Sequence, residues 1–184
     1  MSRTPRLTPV ALCLGANLGD RAASLDAARR ELEERGALAI ARRSPVVETE
    51  PVGPPQPLFL NQVVLGRTKL LAPELLAELK GIEERLGRRP GPRWGMREID
   101  IDILAYGRER IVTPELTIPH PEIPRRAFVL VPWSMIDPDF LVPGLGATVA
   151  ELLERLEGWR GQGDGGPRRG REEACGDEGS RKPA

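Results

Sequence analysis

Asp100 and Asp102 stand in the run Arg97-Glu98-Ile99-Asp100-Ile101-Asp102-Ile103-Leu104-Ala105-Tyr106-Gly107, where acids alternate with isoleucines. A period of two is that of a β-strand with one apolar and one acidic face. Side chains at i and i+2 then point the same way, and two carboxylates side by side repel unless a positive charge sits between them. Oxygen-only ligands suit a hard divalent cation such as Mg2+. The alternative is the solvent-facing side of an ordinary amphipathic strand, although acids are poor strand formers.

The residues just before this strand point to a polyphosphate. Arg85, Arg88, Arg89, Arg93 and Arg97 follow one another with no acid between them, and Gly87, Pro90, Gly91, Pro92 and Gly95 make much of the segment a loop. Guanidinium forks bind phosphate oxygens, and acids that hold a metal place it on the same chain of phosphates. Read alone, the segment is a solvated charged loop; the neighbouring acids give it a ligand.

His120 is the single histidine, in Ile118-Pro-His-Pro-Glu-Ile-Pro-Arg-Arg126. It either packs its loop or donates to a phosphate with Arg125 and Arg126. One histidine excludes His-rich metal sites and leaves no partner set for a nucleophilic triad. Gly15-Ala-Asn-Leu-Gly19 lacks the Gly-Lys-Ser/Thr ending of a P-loop, so Asn17 either shapes the turn or lines the cleft. Phe59 and Asn61 share a strand face, where a ring and an amide can read a flat heterocycle or decorate an exposed surface.

These residues need elements to position them. Residues 9–14 read as a buried strand, followed by a helix capped by Asp20, faced by Leu25, Ala28 and Leu32, and ended at Gly36. Residues 38–49 read as a strand broken at Ser44-Pro45, and 58–66 as another. A second helix begins around Pro73 and carries Leu75, Leu79, Ile82 and Leu86; the acidic strand follows at 98–106. The order βαββαβ predicts a ferredoxin-like α/β (α+β) core, an antiparallel sheet with helices on one face. The first and last strands are expected side by side at its centre. C-terminal additions follow: a short strand at 127–131 and a third helix near Thr148, whose spacing to Glu151 is that of a capping box.

The chain has 184 residues, enough for one domain, expected over 1–160. From Gly161 to Ala184 there is no Leu, Ile, Val, Phe, Trp, Tyr or Met, which predicts a disordered Gly/Arg/Glu-rich tail. With 27 basic and 27 acidic residues the formal charge is zero, which argues against a nucleic-acid binder. Three Phe, three Trp and one Tyr leave few stacking platforms. Cys13 and Cys175 form no disulfide framework, and neither a secretory signal nor a membrane-spanning segment is legible. The reading is a cytoplasmic monomer that binds small molecules.

Several segments together resemble the 6-hydroxymethyl-7,8-dihydropterin pyrophosphokinase family. They are Leu14-Gly-Ala-Asn-Leu18, Glu48-Thr-Glu-Pro-Val-Gly53, Phe59-Leu-Asn-Gln62, Arg93-Trp-Gly-Met-Arg-Glu-Ile-Asp-Ile-Asp-Ile-Leu-Ala-Tyr-Gly107, Ile118-Pro-His120 and Arg126-Ala-Phe128. The resemblance spans about residues 8–158 and implies transfer of pyrophosphate from ATP to the pterin's hydroxymethyl group. It implies that Asp100 and Asp102 bind two Mg2+ ions and that Arg88, Trp94 and Arg97 serve catalysis. It places Glu83, Arg88, Arg97, Ile103, Thr117, His120 and Arg126 at ATP, and Thr49, Val52, Phe59, Asn61 and Phe128 at the pterin. Met96 departs from a usual proline, Phe59 from a common tyrosine, and the loop Arg88–Arg93 is short, with Arg89 a candidate for one further phosphate contact. The alternative function is a non-catalytic nucleotide- or ligand-binding domain on the same scaffold.

Overall fold

The computed structural model describes residues 7–51, 55–89 and 95–162, with side chains as far as 158. Its sheet is built from β1 (Thr8–Ala16), β2 (Ala39–Arg43), β3 (Val47–Thr49), β4 (Phe59–Thr68) and β5 (Asp100–Tyr106). The order is β2-β4-β1-β5, with β3 also on β4, and every pairing is antiparallel. Ser44-Pro45 separates β2 from β3, as the proline predicts: both segments run along the outer side of β4, and Pro45 needs no ladder bond there.

Two helices cover one face. In α1 (Arg21–Glu34), Asp20 accepts from the Ala23 amide at 3.0 Å, and Leu25, Ala28 and Leu32 are buried one turn apart. Gly36 leaves α1 at φ 67°, the left-handed region open to glycine. In α2 (Ala72–Arg85), Glu74 accepts from the Leu71 amide at 2.8 Å and relieves the first turn. Leu75, Leu79 and Ile82 meet Leu12, Leu14, Ile101 and Ile103 in the core between helices and sheet.

The C-terminal additions cover the opposite face. Residues 127–131 are not a strand but the start of α3 (Ala127–Ser134). An uninterrupted apolar run carries no period, so sequence alone does not separate a buried strand from a buried helix. The helix near Thr148 is α4 (Val149–Gln162); the Thr148 amide donates to Glu151 at 2.8 Å, and the Glu151 amide donates to the Thr148 hydroxyl at 3.2 Å. The helix α4 reaches Gln162, and most of the segment expected as a tail, 163–184, lies outside the described residues. Trp133, Leu130, Val149 and Leu152 pack here against Ala11, Cys13, Val63 and Leu104.

Two further expectations are corrected. The acidic strand begins at Asp100, so Glu98 precedes it and only two acids share its face. The strand also lies at the edge of the sheet, beside β1 but not at the centre, because β1 is bonded on its other side to β4. Along β5's outer side run the short strands β6 (Ile111–Val112) and β7 (Thr117–Ile118), after which the His120 amide donates to the Leu104 carbonyl at 3.0 Å. A hairpin of β8 (Leu141–Val142) and β9 (Ala147–Thr148) joins α3 to α4. Among the described residues no helix is long and apolar enough to cross a membrane.

Candidate active site

The sheet sets out the site in rows. Asn61 on β4 is opposite Gly15 on β1, and Gly15 is opposite Asp100 on β5; in the next row Val63, Cys13 and Asp102 line up. Alternation turns these residues to the face covered by α3 and α4, where that cover stops short and leaves a cavity of about 240 Å³. Thr49, Phe59 and Asn61 line one side of it, with Phe128 from α3. Arg97, Asp100, Asp102, His120 and Arg126 line the other. The expected heterocycle readers and phosphate binders therefore share one cleft, two strand spacings or roughly 10 Å apart.

On the heterocycle side, Asn61 donates from Nδ2 to the Thr49 hydroxyl at 2.7 Å, which fixes the carboxamide's orientation. A Cβ on Gly15 would come 2.9 Å from Asn61 Oδ1 and 3.7 Å from the Phe59 ring. Gly15 thus keeps the floor flat beneath ring and amide. Gly15→Ala is expected to displace Asn61 and raise the KM for the heterocyclic substrate by about tenfold, the loss of roughly one hydrogen bond to a buried group. The melting temperature should barely move; steady-state kinetics beside a thermal melt checks both.

On the acidic side, both oxygens of Asp100 are engaged: Oδ1 with Arg88 Nη1 and Oδ2 with Arg97 Nη1, each at 2.6 Å. Glu83 is buried behind them, accepting from the Ile101 amide at 2.7 Å and pairing with Arg88 at 2.5 Å. Burial pushes the Glu83 carboxyl up to about 7, against the pull of that hydrogen bond and of Arg88. Asp102 has Arg126 Nη1 3.7 Å away. Burial, and then the charge of Asp100, raise its carboxyl to about 6. The Arg126 guanidinium also lies 5.4 Å over the Phe128 ring, so one side chain spans the acids and the aromatic wall.

The surroundings of His120 favour its neutral form. Burial, and then Arg126, lower its pKa below the ordinary imidazole value. Its Nδ1 accepts from the Glu122 amide at 3.2 Å, so the ring's proton sits on Nε2. Arg125, by contrast, points outward and pairs with Glu122 at 3.5 Å.

The paired acids fit a hard divalent cation. Their donors are oxygens, and burial first and the Asp100 charge second hold the Asp102 carboxyl up, a cost that a cation beside it would offset. Among the described residues no cluster of three or more His, Cys, Asp or Glu is arranged to hold a metal. A two-carboxylate site suits Mg2+, which keeps waters and takes substrate phosphate oxygens.

Not every expected residue lines the cavity. Glu83 and Arg88 stand behind Asp100, Thr117 lies on β7, and the Ile103 side chain is buried against α1 and α2. Arg89 is exposed. Val52 and Trp94, with Gly91 and Arg93, fall outside the described residues. Conversely, Cys13, Gly15, Glu50, Gln56 and Gly95 line the cavity without having been singled out as site residues. Gly15 reads in sequence as the start of a loop, whereas β1 runs on to Ala16 and carries it inside the strand, where glycine marks a close approach; Glu50 and Gln56 had no signal. Cys13 is buried, and its thiol is pushed far up first by burial and then by Asp102 and Asp100, so it is no nucleophile.

Residues 11–138 match the family model described as 7,8-dihydro-6-hydroxymethylpterin-pyrophosphokinase (HPPK). The chain is 38% identical over 144 residues to a 2-amino-4-hydroxy-6-hydroxymethyldihydropteridine pyrophosphokinase of Synechocystis sp., covering 78% of this chain and 74% of the relative. It is 40% identical over 152 residues to the protein of the same description from Methylorubrum extorquens, covering 82% and 95%. Among solved structures, a Plasmodium falciparum HPPK-DHPS with pteroate superimposes with a TM-score of 0.68 at 17% identity, over 89% of this chain. This chain spans only 45% of that one, and the likeness at such identity is one of fold.

Proposed function

The chain belongs to the 7,8-dihydro-6-hydroxymethylpterin-pyrophosphokinase family, and from that premise we propose how its residues divide the work of the reaction. The enzyme transfers pyrophosphate from ATP to the hydroxymethyl oxygen of 6-hydroxymethyl-7,8-dihydropterin, giving AMP and the pterin diphosphate in folate synthesis. The observation that carries the assignment of roles is the row Asn61, Gly15, Asp100, with an amide and rings at one end and the paired acids at the other.

Asn61 and Thr49 hydrogen-bond the pterin edge, and Phe59 and Phe128 hold its faces over the flat floor at Gly15. The family resemblance assigns Val52 to the pterin as well. The hydroxymethyl group then points along the row toward Asp100 and Asp102. These two carboxylates would hold two Mg2+ ions, which would supply charge neutralisation along the triphosphate and acidify the attacking hydroxyl.

Arg97 and Arg88, which pair with Asp100, also present their forks to phosphate oxygens. Glu83 keeps Arg88 within reach. His120 donates from Nε2 and Arg126 adds a further positive charge at the phosphates, and the family resemblance gives Trp94 a part in catalysis. Thr117 lies toward the nucleotide, and Ile103 contributes through the main chain of an edge strand, since its side chain is in the core. In the reaction the substrate oxygen bonds to the β-phosphorus, the bond from that phosphorus to the α–β bridging oxygen breaks, and AMP leaves with the bridging oxygen. The hydroxyl proton passes to water or to an aspartate. Alignment and water exclusion account for the rate as much as charge does.

The activity resides in the unit that ends with α4, acting as a cytoplasmic monomer on small molecules. The test is AMP release. AMP is expected when pterin, ATP and Mg2+ are all present, and its formation should stop when EDTA removes the metal. Nucleotide binding without AMP formation under those conditions returns the non-catalytic ligand-binding reading.

A further inference from the structure

Ser44 and Gln62 are buried polar residues, 2% and 4% exposed, that do not line the cavity and have no part in the division of labour above. They sit where the outer side of β4 changes partner. Arg43 of β2 is opposite Val64, and Val47 of β3 is opposite Asn61. Residues 44–46 therefore stand against Gln62 and Val63 alone, and the extra residue makes a β-bulge.

A bulge of one residue reverses the faces of everything that follows it. Residues directly opposite each other share a face. Continued without the bulge, the phase of β2 would set Glu48 opposite Phe59, on the cleft face, and turn Thr49 toward the helices. With the bulge, Thr49 is opposite Phe59. Glu48 is opposite Leu60, on the face where it pairs with Arg21 of α1 at 2.9 Å. Only in this phase does the Thr49 hydroxyl face Asn61 and accept from its Nδ2.

Two side chains hold the bulge. The Ser44 amide donates to the Val63 carbonyl at 2.9 Å, but the Val63 amide donates at 3.0 Å to the Ser44 hydroxyl, in place of a main-chain carbonyl. The Ser44 carbonyl, which the ladder leaves free, accepts from Gln62 Nε2 at 2.7 Å. Gln62 Oε1 in turn accepts from Arg29 Nη1 of α1 at 2.7 Å. Each main-chain group that the bulge takes out of the ladder here finds a side-chain partner in the interior, where an unmet group is costly.

We propose that Ser44 and Gln62 are positioning residues for pterin recognition: by fixing the bulge they select Thr49, and not Glu48, as the side chain that meets Asn61 at the cleft. The inference rests on the assignment of Thr49 and Asn61 to the pterin given above. A merely structural role would lower stability and leave the substrate preferences of the folded protein unchanged.

Gln62→Leu removes both bonds of the amide and leaves the Ser44 carbonyl unmet. Steady-state kinetics of the full-length protein, at a temperature where a thermal melt shows it folded, is the experiment. The KM for pterin is expected to rise about tenfold, the loss of roughly one hydrogen bond to a buried group, while the KM for ATP changes less than about twofold. The deciding comparison is a double-mutant cycle with Thr49→Val, which removes the hydroxyl directly. Changes that act through one contact are not additive, so in the Thr49→Val background Gln62→Leu should raise the pterin KM by less than about twofold.

A pterin KM that Gln62→Leu leaves unchanged, or raises together with that of ATP, overturns the inference. Factors that multiply independently in the cycle overturn it too, and both results leave the pocket assignment standing. An unchanged pterin KM in Thr49→Val alone removes the assignment of Thr49 to the pterin, and the inference with it. Should Gln62→Leu not fold, Ser44→Ala, which takes away only the hydroxyl, replaces it in the same cycle with the same expected pattern.

Discussion

Asp100→Ala and Asp102→Ala should each lower AMP release by at least about 10²–10³-fold, the usual loss when a preorganised group facing transition-state charge is removed. Neither residue is part of the hydrophobic core: their side chains are 24% and 37% exposed. Circular dichroism and melting should therefore stay close to wild type. In Asp100→Ala, Arg88 retains Glu83 as its partner, and Arg97, which loses its pairing, is partly exposed and can be solvated. Asp102→Asn refines the test, since it keeps the volume and removes only the charge. Mg2+-dependent binding of an ATP analogue, followed by calorimetry, should weaken in parallel with turnover. Turnover near wild type in either alanine variant would sink the metal assignment.

The largest effect on stability is expected on the other side of the cavity. Trp133 is completely buried in α3, with its ring 5.0 Å from that of Phe140. Trp133→Ala should cost about 3–5 kcal/mol, the range for removing a large aromatic from a packed core. For a domain of this size that is a fall in melting temperature on the order of 10 °C. The same helix carries Phe128, and Arg126 caps its start, so the variant should also bind pterin more weakly at temperatures where it remains folded. The Trp133 indole N–H has no hydrogen-bond partner among the described residues. Trp133→Phe removes that orphan and most of the ring stays, so its cost should be clearly smaller. Urea titration of the two variants separates them, and equal costs would show that volume is not what Trp133 contributes.

What was legible in the sequence follows from what a period can encode. Alternation in β5 and the spacing of Leu25, Ala28 and Leu32 in α1 state which face is buried, and the structure agrees. The helix at 127–134 was illegible as such, because a run that is apolar at every position has no face to reveal and Pro132 lies inside it. The edge position of β5 was illegible because strand order is a property of distant pairings, not of the strand itself. In the site, side chains borne on strands could be read from their spacing, as with Phe59, Asn61, Asp100 and Asp102. The contribution of Gly15 lies in an atom it lacks, that of Asn17 in bonds to segments 40 and 80 positions away in the chain, and that of Gln62 in bonds to residues 18 and 33 positions away. Such relations appear only once the chain is folded.

The row from Asn61 through Gly15 to Asp100 also acts as a ruler. Its length is two interstrand spacings, set by backbone hydrogen bonds and not by the side chains that line the pocket. In the proposed division of roles the heterocycle is gripped at one mark and the phosphoryl donor at another, so the arm between ring and alcohol is measured against the sheet itself. A substrate longer by one methylene would overshoot by more than about 1 Å, a misplacement of the order that costs a hundredfold in rate. Tolerance for changes at the ring can be adjusted by swapping pocket side chains; tolerance for arm length cannot, short of rebuilding the strand order.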